Sequence, residues 1–436
     1  MNAPLEEYKS KARNSIECLM KPDDGLFDRR LAALARFEEL GYPNPRLEAW
    51  RYTSVEGLLK QDFATPPADI TVNQLEVETH FLKQPLAGRL VFVDGLYQAQ
   101  LSECQHTGIK ISSLKSALAE GNRRVLEAVG SQTGLGEDGF AALNLAGFQD
   151  GALIQVFEGV KLSAPIELLH LTSRQATGCK IPTRHLILME TGADAELIER
   201  YQSLQEGISS FNHLVYEISL AESAQLTHKR LQMESDQAYH LSDIHIALQA
   251  RANYRGVNAA VGSRWSRTVL HNRFMQADAH CELDGLYLVS DGQLSDYHLD
   301  VDHQVPHCTS RENFKGILRG SGRAVFDGLI QVGELAQKSE AHLHNANLML
   351  SRRAEVDTKP QLMILADDVV CSHGTTVGQL DQQAMFYMRS RGLNEEQAKR
   401  LLCQGFIADV VERFEDPELI EILNQRVSFQ ETLAES

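Results

Sequence analysis

Between about residue 150 and residue 377 the chain is a procession of short apolar or alternating runs, with no helical spacing between them. Examples are Leu153-Ile154-Gln155-Val156, His185-Leu186-Ile187-Leu188, Leu214-Val215-Tyr216-Glu217-Ile218, Leu286-Tyr287-Leu288-Val289 and Leu329-Ile330-Gln331-Val332. A small residue repeatedly opens such a run, as in Ala195-Glu196-Leu197, Ala224-Gln225-Leu226, Ala252-Asn253-Tyr254, Ala279-His280-Cys281, Ala324-Val325-Phe326 and Ala354-Glu355-Val356. The steps between these alanines are 29, 28, 27, 45 and 30 residues. A helix-free step near 28 is too long for a hairpin but suits one or more strands plus corners, stacked on the next coil, as in a β-solenoid. The long step leaves room for one extra, poorly marked turn. An ordinary sandwich, with turns every 8–12 residues, is the alternative. In the solenoid reading, Gly192, Gly207, Gly256, Gly262, Gly285, Gly320, Gly322 and Gly328 serve corners where φ turns positive.

Helical patterns flank this region. Leu5 to Met20 and Phe27 to Leu40 have helical spacing, and Gly41 closes the second. A linker signal spans 64–69, a strand signal lies at Leu90–Val93 before Asp94-Gly95, and a helix is expected near Leu114 to Val129. Toward the C-terminus, Asp381 caps a helix ended by Gly392, Asn394 and Gln397 form a capping box, and Asp416-Pro417 opens a third helix. Phe386, Leu401, Leu402, Phe406 and Val410 are expected to form the seam of these helices. The reading is therefore mainly β: a mostly helical region over 1–140, a coil core over 141–377 and a helical domain over 378–436.

The bulk properties narrow the function. A formal charge of −17 speaks against a phosphate-backbone partner, and no run approaches the length of a membrane span. Seven scattered cysteines without Cys-x-x-Cys spacing suit free thiols in a reducing cytoplasm. With no Gly-x-x-x-x-Gly-Lys-Ser/Thr loop, P-loop hydrolysis would have to come from a partner.

The most telling stretch is 366–380, Ala-Asp-Asp-Val-Val-Cys-Ser-His-Gly-Thr-Thr-Val-Gly-Gln-Leu. Cys371 and His373 sit two apart, so an extended backbone puts both on one face. A thiolate and an imidazole make half of a soft metal or sulfur-handling site, and the shortage of ligands points to a partner chain. His342 and His344 share a strand face, and His303, His307 and Cys308 are close in sequence. Asp284, Asp291, Asp296, Asp300 and Asp302 could form a carboxylate cluster like that of a carbohydrate-cleaving β-helix enzyme. Turn capping explains them as simply.

Pro306-His307-Cys308-Thr309-Ser310, Phe314-Lys315-Gly316, Ala324-Val325-Phe326-Asp327-Gly328, Thr358-Lys359-Pro360-Gln361-Leu362, Ala366-Asp367-Asp368-Val369, Cys371-Ser372-His373-Gly374, Phe386-Tyr387 and Ser390-Arg391-Gly392 follow in order. Together they resemble the SufB/SufD family of iron–sulfur cluster assembly proteins over nearly the whole chain. Ala346, where SufB-type chains carry a cysteine, and His373, where they tend to carry a carboxylate, resemble the SufD branch. The resemblance implies a right-handed parallel β-helix and a non-catalytic scaffold in the cytoplasm. Its implied partners are a SufB-like paralogue and a SufC-like ABC ATPase; without the paralogue, the same strand edge offers an isolated chain a route to a homodimer. It implies that His373 and Cys371 meet a transient iron or nascent iron–sulfur cluster at the paralogue interface, with no cofactor held stably by the isolated chain. It also places ATPase docking on the C-terminal helices, at Phe386, Tyr387, Arg391, Gly392 and Phe406. A purely structural interaction module remains the blander alternative.

Overall fold

The computed structural model describes residues 3–17, 25–67, 70–133 and 139–427. Its centre is a parallel β-solenoid of about eight turns. Each turn gives one strand to each of two facing sheets. The first sheet receives Ile166–Thr172, Asp194–Ser203, Gln225–Met233, Asn253–Ala260, His280–Val289, Thr309–Leu318, Glu340–Met349 and Val370–Gly378, all in parallel register. The second receives Ala152–Val156, Cys179–Met189, Ser210–Leu220, Tyr239–Leu248, Trp265–Phe274, Leu294–His303, Arg323–Val332 and Glu355–Ile364. The sheets extend N-terminally of residue 141: Gly88–Val93 pairs parallel with Ile166–Thr172, and Ile109–Ser113 pairs antiparallel with Ala152–Val156.

Alternation within each strand decides what lies inside. Leu214, Tyr216 and Ile218 of the second sheet, with Leu226, Tyr254 and Leu283 of the first, enter the core between the sheets. The alanine repeat has a different basis from the one expected. The register aligns Ala193, not Ala195, with Ala224, Ala252 and Ala279, and all four are fully buried at the corner entering the first sheet. Ala324 belongs to the second sheet, so the 45-residue step is a turn and a half, and no turn is hidden in it.

Of the glycines expected at corners, Gly192, Gly207 and Gly320 take positive φ, whereas Gly256, Gly262, Gly285, Gly322 and Gly328 do not. The corners before the strands from Asp194–Ser203 to Glu340–Met349 are left-handed, but Gly192 is followed there by Ser223, Arg251, Asp278, His307 and Lys338, with φ between 55° and 63°. Adjoining corners stack through backbone bonds such as Ser223 N–H to Ala250 O (2.9 Å) and His307 N–H to Gln337 O (3.0 Å), which supports the strained conformation. Gly285 sits within a strand, where a Cβ would come 2.1 Å from the Phe314 ring of the next turn. It is small so that a neighbouring aromatic can lie across it.

The core also holds charge. Glu199, fully buried, receives Arg230 Nε at 2.9 Å, lies 2.8 Å from His228 Nε2 and is bonded by the Tyr201 and Tyr216 hydroxyls. Burial alone would raise the Glu199 carboxyl, but the Arg230 and His228 contacts hold it well below the usual range.

Both outer faces are partly covered. Ala3–Glu17, Phe27–Leu40 and Gly139–Gly147 help close the second sheet, burying Phe37, Trp50 and Phe140 with Leu186, Phe211 and Tyr239. The expected helix over 114–129 is two, Leu114–Ala119 and Arg123–Ala128, with Gly121 (φ 68°) in the turn between them. The helical expectation for residues 18–20 and the end of the 64–69 segment lie outside the described residues. Ala64 itself bridges to Cys179 beside the second sheet.

At the other end, the helices Gln382–Ser390, Glu395–Glu412 and Pro417–Val427 carry the caps read from sequence: Asp381 accepts from Gln383 N–H at 2.8 Å, and the Asn394–Gln397 capping box is closed. Val410 and the half-buried Phe406 lie in the seam as expected, but the rest of it differs. Phe386 and Leu401 are exposed, while Cys403, Ile407, Val410, Phe414, Leu419 and Leu423 pack on Ile198, Leu231, Val257, Leu286, Ile317 and Leu348 of the first sheet. No helix among the described residues is long and apolar enough to cross a membrane.

Candidate functional site at the last turn

Register fixes how Cys371 and His373 are presented. Cys371 continues the column Tyr254–Cys281–Ser310–Ala341, and His373 continues Leu283–Glu312–Leu343. Both columns face into the coil in every turn below, where Cys281, Leu283, Ala341 and Leu343 are buried. Among the described residues no strand follows Val370–Gly378 in its sheet, so the last pair of inward side chains has nothing above it. His373 is accordingly exposed, and Cys371 is half-covered against the core. Partial burial pushes the Cys371 thiol above its ordinary value. An inward-pointing imidazole and thiol at an open end are therefore offered along the solenoid axis to whatever covers that end.

The end itself is unfinished in two further respects. The outer edges of Val370–Gly378 and Glu355–Ile364 carry unpaired backbone groups, a template for strand addition. Met363, Ile364, Leu365, Val370 and Val377 are exposed there, Leu365 at 60%. Interior turns of the same fold expose no such band.

The neighbouring histidines divide. His342 and His344 project from the outer face, with His342 Nδ1 2.7 Å from Ser372 Oγ and His344 Nδ1 3.3 Å from Asn313 Oδ1. They line a recess of about 430 Å³ that His373, Asp284 and Arg413 also border. Burial pushes the Asp284 carboxyl up to about 6, opposed by Arg413. His303 is fully buried, packs at a tilt against Phe274 and is pushed down to about 4 by desolvation, so it is a neutral core residue. His307 forms a left-handed corner and Cys308 is buried beside it.

The turn-capping explanation holds for only one of the five aspartates. Asp291 accepts from the Ser321 N–H and hydroxyl at 2.7 and 2.9 Å. The other four lie within strands: Asp284 in the first sheet, Asp296, Asp300 and Asp302 in Leu294–His303. Asp296 is bonded by Arg267 and accepts the Thr53 hydroxyl at 2.5 Å beneath the N-terminal region. No shared carboxylate pocket results.

On the C-terminal helices, Phe386 and Tyr387 are 76% and 59% exposed. Arg391 lies over the Tyr387 ring at 5.3 Å, and Gly392 takes φ 95° to end the helix. Phe406 is turned the other way: half-buried against the sheet, it has Lys315 Nζ over its ring at 5.1 Å and bonded to its carbonyl at 2.7 Å.

Sequence reasoning missed Glu312, two turns below His373 in the same column. It is buried, neither carboxylate oxygen has a hydrogen-bond partner of ordinary geometry, and desolvation pushes it up to about 8. Only the 29–31-residue register between distant strands places it there.

Fold and site thus define a parallel β-solenoid with an incomplete soft donor pair at its open end. Residues 171–406 match the SUF system FeS cluster assembly, SufBD core domain, and residues 8–168 match the SufBD protein N-terminal region. The chain is 30% identical to the iron–sulfur cluster assembly protein SufD of Escherichia coli over 391 residues, covering 89% of each. It is 31% identical to the SufBD family protein slr0076 of Synechocystis over 415 residues, covering 93% of this chain and 91% of that one. It is also 31% identical to the chloroplastic protein ABCI7 of Arabidopsis thaliana over 288 residues, 65% of this chain and 61% of the other. The chain belongs to the SufBD family of iron–sulfur cluster assembly proteins.

Proposed function

We propose that the chain is the SufD-like scaffold subunit of a cytoplasmic cluster-assembly complex and has no catalytic centre of its own. A SufB-like paralogue would add strands to the edges of Glu355–Ile364 and Val370–Gly378 and cover the apolar band around them. The observation that carries this reading is the exposure of His373 in an otherwise buried column. The imidazole nitrogen suits Fe(II), a thiolate from the paralogue would supply the soft ligand, and Cys371 would be a second donor. Iron and sulfide are cargo here, passing through a site that neither chain completes alone.

A SufC-like ATPase would dock on Phe386, Tyr387 and the Arg391–Gly392 turn, the exposed part of the C-terminal helices. Those helices pack on the first sheet, which ends in the strand bearing His373, so movement of the ATPase could reach the junction through one rigid element. Replacing His373 by Ala should leave the assembled complex intact yet abolish cluster build-up in cells. Normal maturation of iron–sulfur enzymes in that variant would remove His373 from the site.

A further inference from the structure

The outer face of the second sheet brings Asp243, His245, His271 and Asp300 together from three successive turns. His245 and His271 are register partners, as are His271 and Asp300, and the two rings stack at 4.5 Å with planes 16° apart. One donor atom from each of Asp243, His245 and His271 lies within 4.8 Å of the others. Asp243 Oδ1 is 2.9 Å from His245 Nε2 and 3.4 Å from His271 Nε2. Ligands bound at about 2.1 Å in tetrahedral or octahedral geometry stand about 3.0–3.4 Å apart, so these two separations match edges of a coordination polyhedron.

Two further observations point to a cation. Asp243 Oδ1 and His245 Nε2 are shut off from solvent, yet neither has a hydrogen-bond partner, their mutual approach lacking hydrogen-bond geometry. His271 Nδ1 lies 3.2 Å from Asp300 Oδ2, and Asp300 Oδ1 accepts from Gln331 at 2.9 Å. A carboxylate holding the far nitrogen of an imidazole fixes its tautomer and aims the other nitrogen's lone pair, the usual support behind a metal-bound histidine. The other nitrogen, Nε2, faces Asp243.

We propose that Asp243, His245 and His271 bind a divalent first-row transition ion, with Asp300 as the positioning residue for His271. Two imidazoles and a carboxylate, with no thiolate, favour Zn(II), Fe(II) or Co(II) over Ca(II) or Mg(II). Side-chain exposure of 26% at His271 against 11% at His245 leaves the solvent side open to water or another ligand. The site lies on the opposite sheet from His373 and about 14 Å along the stack from its last strand, three strand spacings away. It is therefore independent of the cluster-assembly reading.

Titrating the full chain with Co(II), followed by visible absorption, tests this directly. One equivalent should bind with an N/O-ligand spectrum lacking thiolate charge transfer, unchanged in a Cys371→Ser, His373→Ala double variant. His245→Ala or Asp243→Asn should lose that equivalent, and Asp300→Asn should weaken it about 10–100-fold. No binding, binding unaltered by these substitutions, or binding lost only in the double variant overturns the proposal. If a variant fails to fold, wild-type crystals soaked in Co(II) decide: an anomalous peak among the three donor atoms supports the site, and its absence rejects it.

Discussion

Single residues in this solenoid take their character from the column they occupy. Glu312 shares a column with Leu283 and Leu343 and carries a carboxyl pushed up to about 8 by burial, from an ordinary value of 4.5. Below pH 4.5 both folded and unfolded chains bind the proton, so Glu312 is neutral to stability. As pH rises to 8 the unfolded chain ionises while the folded one does not, and stability is progressively lost; above 8 the loss is complete. Glu312→Gln should match wild type at pH 4 and exceed it by about 1–3 kcal/mol at pH 8. Urea midpoints across that range measure the difference; a pH-independent offset would contradict the burial argument. Glu199, equally buried but held by Arg230 and His228, is the opposite case: the same burial, with partners, keeps the charge. Nothing in the local sequence separates the two glutamates.

Elements show the same division between local and long-range control. Helix ends were legible, because a cap is a contact over two or three residues: Asp381, Asn394 with Gln397, and Asp416 all cap as their sequence spacing implies. Helix faces were not, because the docking surface chooses the face. Phe386 and Leu401 share the expected spacing but look outward, while Cys403 and Ile407 meet the sheet. Phe386 and Tyr387 pack on little, so replacing both by Ala should change stability by less than about 0.5 kcal/mol. The same double variant should sharply weaken capture of a SufC-like ATPase, as read by co-purification. Undiminished capture would move the docking face elsewhere. The corner elements are a further example: about half of the left-handed corners are carried by non-glycine residues, held by ladders of backbone bonds that only stacking creates.

At the scale of the molecule, the two outer faces are partly covered and one end is not. The C-terminal helices cover the first sheet, the N-terminal region packs on the second, and the last turn keeps two bare strand edges with Met363, Leu365, Val370 and Val377 exposed. An end of this kind invites pairing, and without a paralogue a second copy is the available partner. Sedimentation of the isolated chain should show a dimer, and Val370→Lys with Val377→Lys should shift it to monomer without lowering the melting temperature by more than a few degrees. A dimer that survives both substitutions would place the contact on another surface.

Periodicity, caps and the paired Cys371 and His373 were determined by the sequence itself, since each depends on neighbours a few residues away or on a repeat that the chain states many times. The solenoid, the terminal helices and the same-face placement of Cys371 and His373 follow from that. The interior charge network, the raised carboxyl of Glu312 and the meeting of Asp243 with His245, His271 and Asp300 were decided only by the stacked register. A slip of one residue between turns would send each of those side chains to the opposite face, and a cross-turn register is set by the whole stack rather than by any segment within it.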